Sequence, residues 1–166
     1  MSPLARSYHA LCVLAFGLAA SAASAASEDV PGWNAERAEL FSKVCMGSAP
    51  GFSGMEKTAR SLGFRTINGN LMHEPEVAVS LQNTDSGCAC YMTMGAYDPT
   101  ALVQAIFQRL VNDYPDAWRP ESESGPVNDT RFEREGEMVR LVLTPAKLDG
   151  NDWIAGRVYS SNRCPA

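Results

Sequence analysis

The sequence predicts an α+β domain, an antiparallel sheet of about five strands with helices packed on one face, in the order α-α-β-β-α-β-β-β. Three observations carry this. Two short helical stripes come before the first alternating segment, a broad apolar helical face runs from Leu102 to Tyr114, and three alternating segments joined by Gly-containing turns close the chain. A sheet covered on one face only leaves the other to solvent, which accounts for Arg140 and Arg157 alternating with apolar residues.

The first 25 residues read as an export signal. Arg6 supplies the positive charge, Ala10 to Ala20 the apolar run, and Ala23-Ser24-Ala25 the small residues at a cleavage site. The run falls short of the roughly 20 apolar residues that span a bilayer, so no membrane span is expected once the signal is removed. Residues 26–166 then form a single domain. Asn34 is expected to cap a first helix that buries Leu40, Phe41, Val44 and Cys45 and stops at Gly47 to Pro50. Ser53-Gly54-Met55-Glu56 has the spacing of a capping box, opening a short helix that ends at Gly63 with Phe64 tucked beneath it.

A turn at Asn68-Gly69 leads through a segment of mixed character to a strand with Val77, Val79 and Leu81 on one face. The turn Asn83 to Gly87 hands this strand to Ser86-Gly95 (SGCACYMTMG), giving a hairpin. Asp98-Pro99 opens the central helix, where Leu102, Ile106, Phe107 and Leu110 are expected to meet the sheet. Trp118 to Asn128 lacks periodicity and reads as a loop. Turns at Glu135-Gly136 and Asp149-Gly150 then join strands over 131–134, 138–144 and 152–160 into a meander.

The chain has five cysteines, and Cys12 leaves with the signal. Cys45, Cys88, Cys90 and Cys164 remain, an even set in a chain sent to an oxidising compartment, periplasmic or extracellular. Cys88 and Cys90 share a strand face about 7 Å apart, too far to bridge each other. If the last strand runs antiparallel to theirs, Cys164 falls beside Cys88, and Cys45 is left for Cys90. The expected bridges are Cys45–Cys90 and Cys88–Cys164. The same stripe continues through Met92 and Met94, so a Cu(I) site of thiolates and thioethers is the alternative reading, which oxidation of the cysteines would remove.

Other chemistries find little support. The net charge of −5 loses a further cation with the signal, and the arginines are scattered among acids, which disfavours nucleic acid as a partner. His73 is the only imidazole beyond the signal, and no nucleophile elbow, P-loop or Cys-x-x-Cys pair accompanies it. No catalytic, cofactor-binding or metal-binding residue is therefore assigned. The Ala-rich signal, Cys45-Met46 followed by Pro50 and Phe52, the helix ending at Gly63-Phe64, the Cys88-x-Cys90 strand and the terminal cysteine together resemble a group of small exported alphaproteobacterial proteins of uncharacterised function. The resemblance covers most of the mature chain and implies structure, not activity. The sequence thus favours a non-enzymatic exported domain that binds an envelope or extracellular protein, with Trp118 and Trp153 as candidate anchors. Cu(I) binding ranks second, and an enzyme with an unrecognised site third.

Overall fold

The computed structural model describes residues 30–73, 76–117 and 128–165. The segment read as an export signal and residues 118–127 of the expected loop, Trp118 included, lie outside them. Helix α1, Val30–Phe41, continues into a π-helical turn, Ser42–Met46, and is followed by α2, Met55–Ser61. Four strands come next: β1 Arg65–Ile67, β2 Asn70–His73, β3 Val77–Thr84 and β4 Gly87–Gly95. Helix α3, Pro99–Asp113, precedes the meander of β5 Asn128–Arg134, β6 Glu137–Leu148 and β7 Asn151–Ser160. The architecture is α+β, as the sequence indicates, but the sheet has seven strands among the described residues rather than about five.

The added pair is the hairpin β1–β2, which flanks the expected Asn68-Gly69 turn; β2 occupies the segment of mixed character and β1 the residues before the turn. Arg65–Ile67 is exposed at every position, so no burial alternation marks it as a strand. It is ordered by its pairing with β2, which itself pairs with β3. The sheet order is β1-β2-β3-β4-β7-β6-β5, antiparallel throughout. Helix α3 carries the chain from β4 to the far edge, and the meander returns it, so the last strand lies beside β4. The turns that reverse the meander are set by local chemistry. Glu135-Gly136 and Asp149-Gly150 have φ of 54° and 79°, and 51° and 82°, the left-handed values of a two-residue hairpin turn.

The helices cover one sheet face. Cys88, Cys90, Met92 and Met94 point into it and are fully buried, with Val77 and Val79 on β3, Ile154 and Val158 on β7, and Leu141 and Leu143 on β6. Phe41 of α1 lies over β7 at Gly156, where an added Cβ would stand 2.5 Å from its ring. Only glycine allows that approach.

Three local expectations change. Helix α1 starts at Val30, and Asn34 is buried inside it rather than capping it. Starting earlier places Trp33 and Arg37 on one helix face, one turn apart. The residue before α2 is Gly54, and no side chain caps its N-terminus, so the Ser53–Glu56 box does not form. Glu56 instead pairs with Arg60 along the helix. In α3 the expected cap is present, with the Asp98 carboxylate accepting from the Thr100 and Ala101 N–H groups. Leu102, Ile106 and Leu110 are fully buried there, but Phe107 is only partly so. Helix α3 packs mainly on α1 and touches β7, which leaves the Val103-Phe107-Val111 stripe facing outward.

Candidate functional site

Two features of the structure concentrate chemically distinctive side chains. The first is the sulfur stripe. Cys45, in the π-helical turn, is joined to Cys90 with a Cα–Cα distance of 5.4 Å, and Cys88 to Cys164 at 4.8 Å. Register explains the second bridge: Cys88 stands opposite Ser160, so the chain leaving β7 passes directly beside it. The four sulfurs are bonded to one another, and a disulfide sulfur is not the thiolate that Cu(I) needs. The Met92 and Met94 thioethers are fully buried in the core. Among the described residues no group of three His, Cys, Asp or Glu side chains is arranged to hold a metal. His73 packs against Phe64, with ring centroids 5.2 Å apart.

The second feature is a cleft of about 410 Å³ at the end of the sheet where β4 gives way to α3. Strand chemistry builds its floor. The Gly95 N–H donates to the Glu76 carbonyl and the Ala96 N–H to the Asp152 carbonyl, both at 2.8 Å, so the β3–β4–β7 ladder is held to its last rung. The Asp149-Gly150 turn delivers Asn151, Asp152 and Trp153 to one side of the cleft, and the link to the α3 cap delivers Tyr97 to the other. Trp33 of α1 completes the wall.

Arg37 organises this wall from behind. It is 1% exposed, a cost that a guanidinium bears only when paired. Its Nη2 donates to Glu76 Oε2 at 2.8 Å, and its guanidinium carbon lies 3.0 Å from the centre of the Trp33 ring. Trp33 in turn meets Tyr97, the centroids 5.0 Å apart and the planes tilted by 55°. Tyr97 is 57% exposed, a large ring held at the surface by its neighbours. On the opposite rim Lys147 reaches Asp152 at 3.0 Å in a solvent-exposed pair. The Trp153 indole nitrogen is buried and has no hydrogen-bond partner among the described residues.

The cleft therefore offers three aromatic rings, two carboxylates and a rigid backbone floor, within the size range of small-molecule and side-chain pockets. It contains no imidazole, thiol or activated hydroxyl among its described lining residues. A larger hollow of about 620 Å³ runs along the outer side of α3 past Phe107 and Pro145, but it is lined by apolar and uncharged polar groups with no convergent chemistry. Of the sequence candidates, Trp153 lines the cleft, Trp118 lies outside the described residues, and the four cysteines form core bridges away from it. Sequence reasoning missed Trp33, Arg37, Glu76 and Tyr97. The four-residue spacing of Trp33 and Arg37 was a readable signal once the helix is started at Val30. Compared with protein-family models, with curated proteins and with solved structures, the chain finds no match.

Proposed function

We propose that this chain is a small exported domain, periplasmic or secreted, that acts by binding a protein partner at the aromatic cleft, and that it belongs with the small exported alphaproteobacterial proteins it resembles. One observation carries the reading: Trp33, Tyr97, Trp153 and Arg37, of the residue types most concentrated in binding hot spots, are gathered at one end of the sheet. Two disulfides suit an oxidising compartment, and among the described residues no helix is long and apolar enough to cross a membrane.

Export makes its own prediction. N-terminal sequencing of protein recovered from outside the cytoplasm should begin near Ala26, and retention of Met1 would refute it. For binding, the immobilised protein should capture a reproducible partner from envelope or extracellular fractions. Tyr97→Ala removes an exposed ring without opening the core, so capture should drop at least about tenfold while loss of its contact with Trp33 lowers the melting temperature by only a few degrees. Equal capture by the variant would remove the cleft as the site. Turnover in a broad substrate screen without any captured partner would favour an enzyme.

A further inference from the structure

The lining of the cleft is chemically one-sided. Its charged side chains are the carboxylates of Glu76 and Asp152, beside the Asn151 amide, the Tyr97 hydroxyl and the Trp153 indole N–H, and its remaining walls are aromatic faces and backbone. Asp98 follows Tyr97 and Asp149 precedes Gly150, so the chain segments at the mouth bring further negative charge. Among the described residues, the cations paired with its lining are Arg37, which is buried behind Trp33, and Lys147, which is 72% exposed and holds Asp152 from outside. An anion entering here meets carboxylates. An apolar group would strip water from Asp152 and offer nothing in return. A cation satisfies both kinds of surface, because aromatic faces attract positive charge and carboxylates accept its N–H donors.

Arg37 already displays the arrangement from within the fold, one guanidinium stacked on Trp33 and bonded to Glu76. Tyr97, Trp153 and Asp152 line the open side with the same residue types, and there the cation paired with Asp152 among the described residues is an exposed lysine. We infer that the cleft receives a basic side chain, lysine or arginine, presented by the partner protein; this rests on the reading of the cleft as the binding site. The basic group lies against the Tyr97 and Trp153 rings and takes Asp152 from Lys147, while Arg37 and Glu76 hold the wall in place. A net acidic chain adds long-range attraction for such a partner.

The test titrates isotope-labelled protein with blocked tripeptides, Gly-Arg-Gly and Gly-Lys-Gly, followed by NMR. Citrulline and acetyl-lysine counterparts keep the shape and delete the charge. Saturable shifts are expected at the Trp33 and Trp153 indole N–H groups and at the amides of Gly95 to Tyr97 and of Gly150 to Trp153. The neutral peptides should bind at least about tenfold more weakly, and Asp152→Asn or Tyr97→Ala should each weaken the arginine peptide about fivefold. Equal binding of the citrulline peptide, absence of localised shifts, or the same shifts produced by a neutral oligosaccharide would each overturn the inference. Partner capture separates it from the underlying reading. If capture depends on Tyr97 yet survives acetylation of the partner's lysines and blocking of its arginines, the basic-group inference falls and the binding site stands; if capture is indifferent to Tyr97, the binding site itself falls.

Discussion

Arg37 joins α1 to the beginning of β3 through Glu76, residues 39 positions apart in sequence. A buried guanidinium is tolerated because that carboxylate answers it, so removing the carboxylate costs more than the pair gains. Glu76 is 45% exposed, and water compensates part of the loss. Glu76→Gln is therefore expected to destabilise by about 1–2 kcal/mol, below the range for breaking a fully buried pair, as read from the urea midpoint. A second residue-scale effect concerns pH. The Glu39 carboxyl is held below its ordinary value, first by its hydrogen bond from Lys43 and then by the charge of that ammonium. Its contribution is present above the ordinary carboxylate range and lost as pH falls through the lowered folded-state value. Both side chains are about half exposed, at 46% and 48%, so solvent screens the pair to a few tenths of a kcal/mol. Wild type and Glu39→Gln should differ slightly near neutrality, and their denaturation curves should converge as the solution is acidified below the ordinary carboxylate range.

At the scale of elements, α3 separates what was readable from what was not. Asp98-Pro99 fixes its start by chemistry that needs no tertiary partner, and the apolar face from Leu102 to Leu110 fixes its orientation. How wide a face is covered depends on α1 and β7, which the local sequence does not contain. Leu102, Ile106 and Leu110 are fully buried, whereas Phe107, on the adjoining stripe, lines the surface hollow. Ile106→Ala is accordingly expected to cost about 2–5 kcal/mol, and Phe107→Ala markedly less, about 1–2 kcal/mol, because much of the ring leaves no cavity behind. Thermal melts of the two variants provide the check, and an equal loss would place Phe107 in the core. The same division holds elsewhere. The turns at Glu135-Gly136 and Asp149-Gly150 are local and legible. The β1 strand has no buried face and becomes a strand only through its neighbours, so it was not. In the cleft, Trp33 and Arg37 belong to one helix and could be paired by spacing, while Glu76 and Trp153 join them only after the sheet has formed.

At the scale of the whole molecule, the described residues are held by two bridges that meet on one strand. Cys45–Cys90 spans 45 residues and ties the first helical layer to β4; Cys88–Cys164 spans 76 and ties the end of the chain to the same strand. Each closes a long loop, and in the chain-entropy limit each contributes about 4 kcal/mol by restricting the unfolded chain. Because both loops include the stretch from Cys88 to Cys90, their contributions are not independent. Their accessibility differs sharply. Cys45 and Cys90 are both 0% exposed beneath the helices, whereas in the other bridge Cys88 is 0% exposed but Cys164 lies beyond the last strand and is partly exposed. A thiolate reductant must reach a sulfur in line with the bond it breaks. It can reach Cys164 by opening the segment after Ser160, which belongs to no helix or strand, but it reaches Cys45–Cys90 only when the helical layer lifts from the sheet, which costs much of the global stability. Reduction of the folded protein should therefore proceed in two stages. Brief treatment with dithiothreitol, followed by alkylation and peptide mapping, is expected to label Cys88 and Cys164 first, with the melting temperature lowered but the fold intact. Cys45 and Cys90 should be labelled later, at a rate that rises with urea as global opening becomes frequent. Simultaneous labelling of all four cysteines in the absence of denaturant would show that the helical layer opens as readily as the chain end, and that the inner bridge does not anchor it.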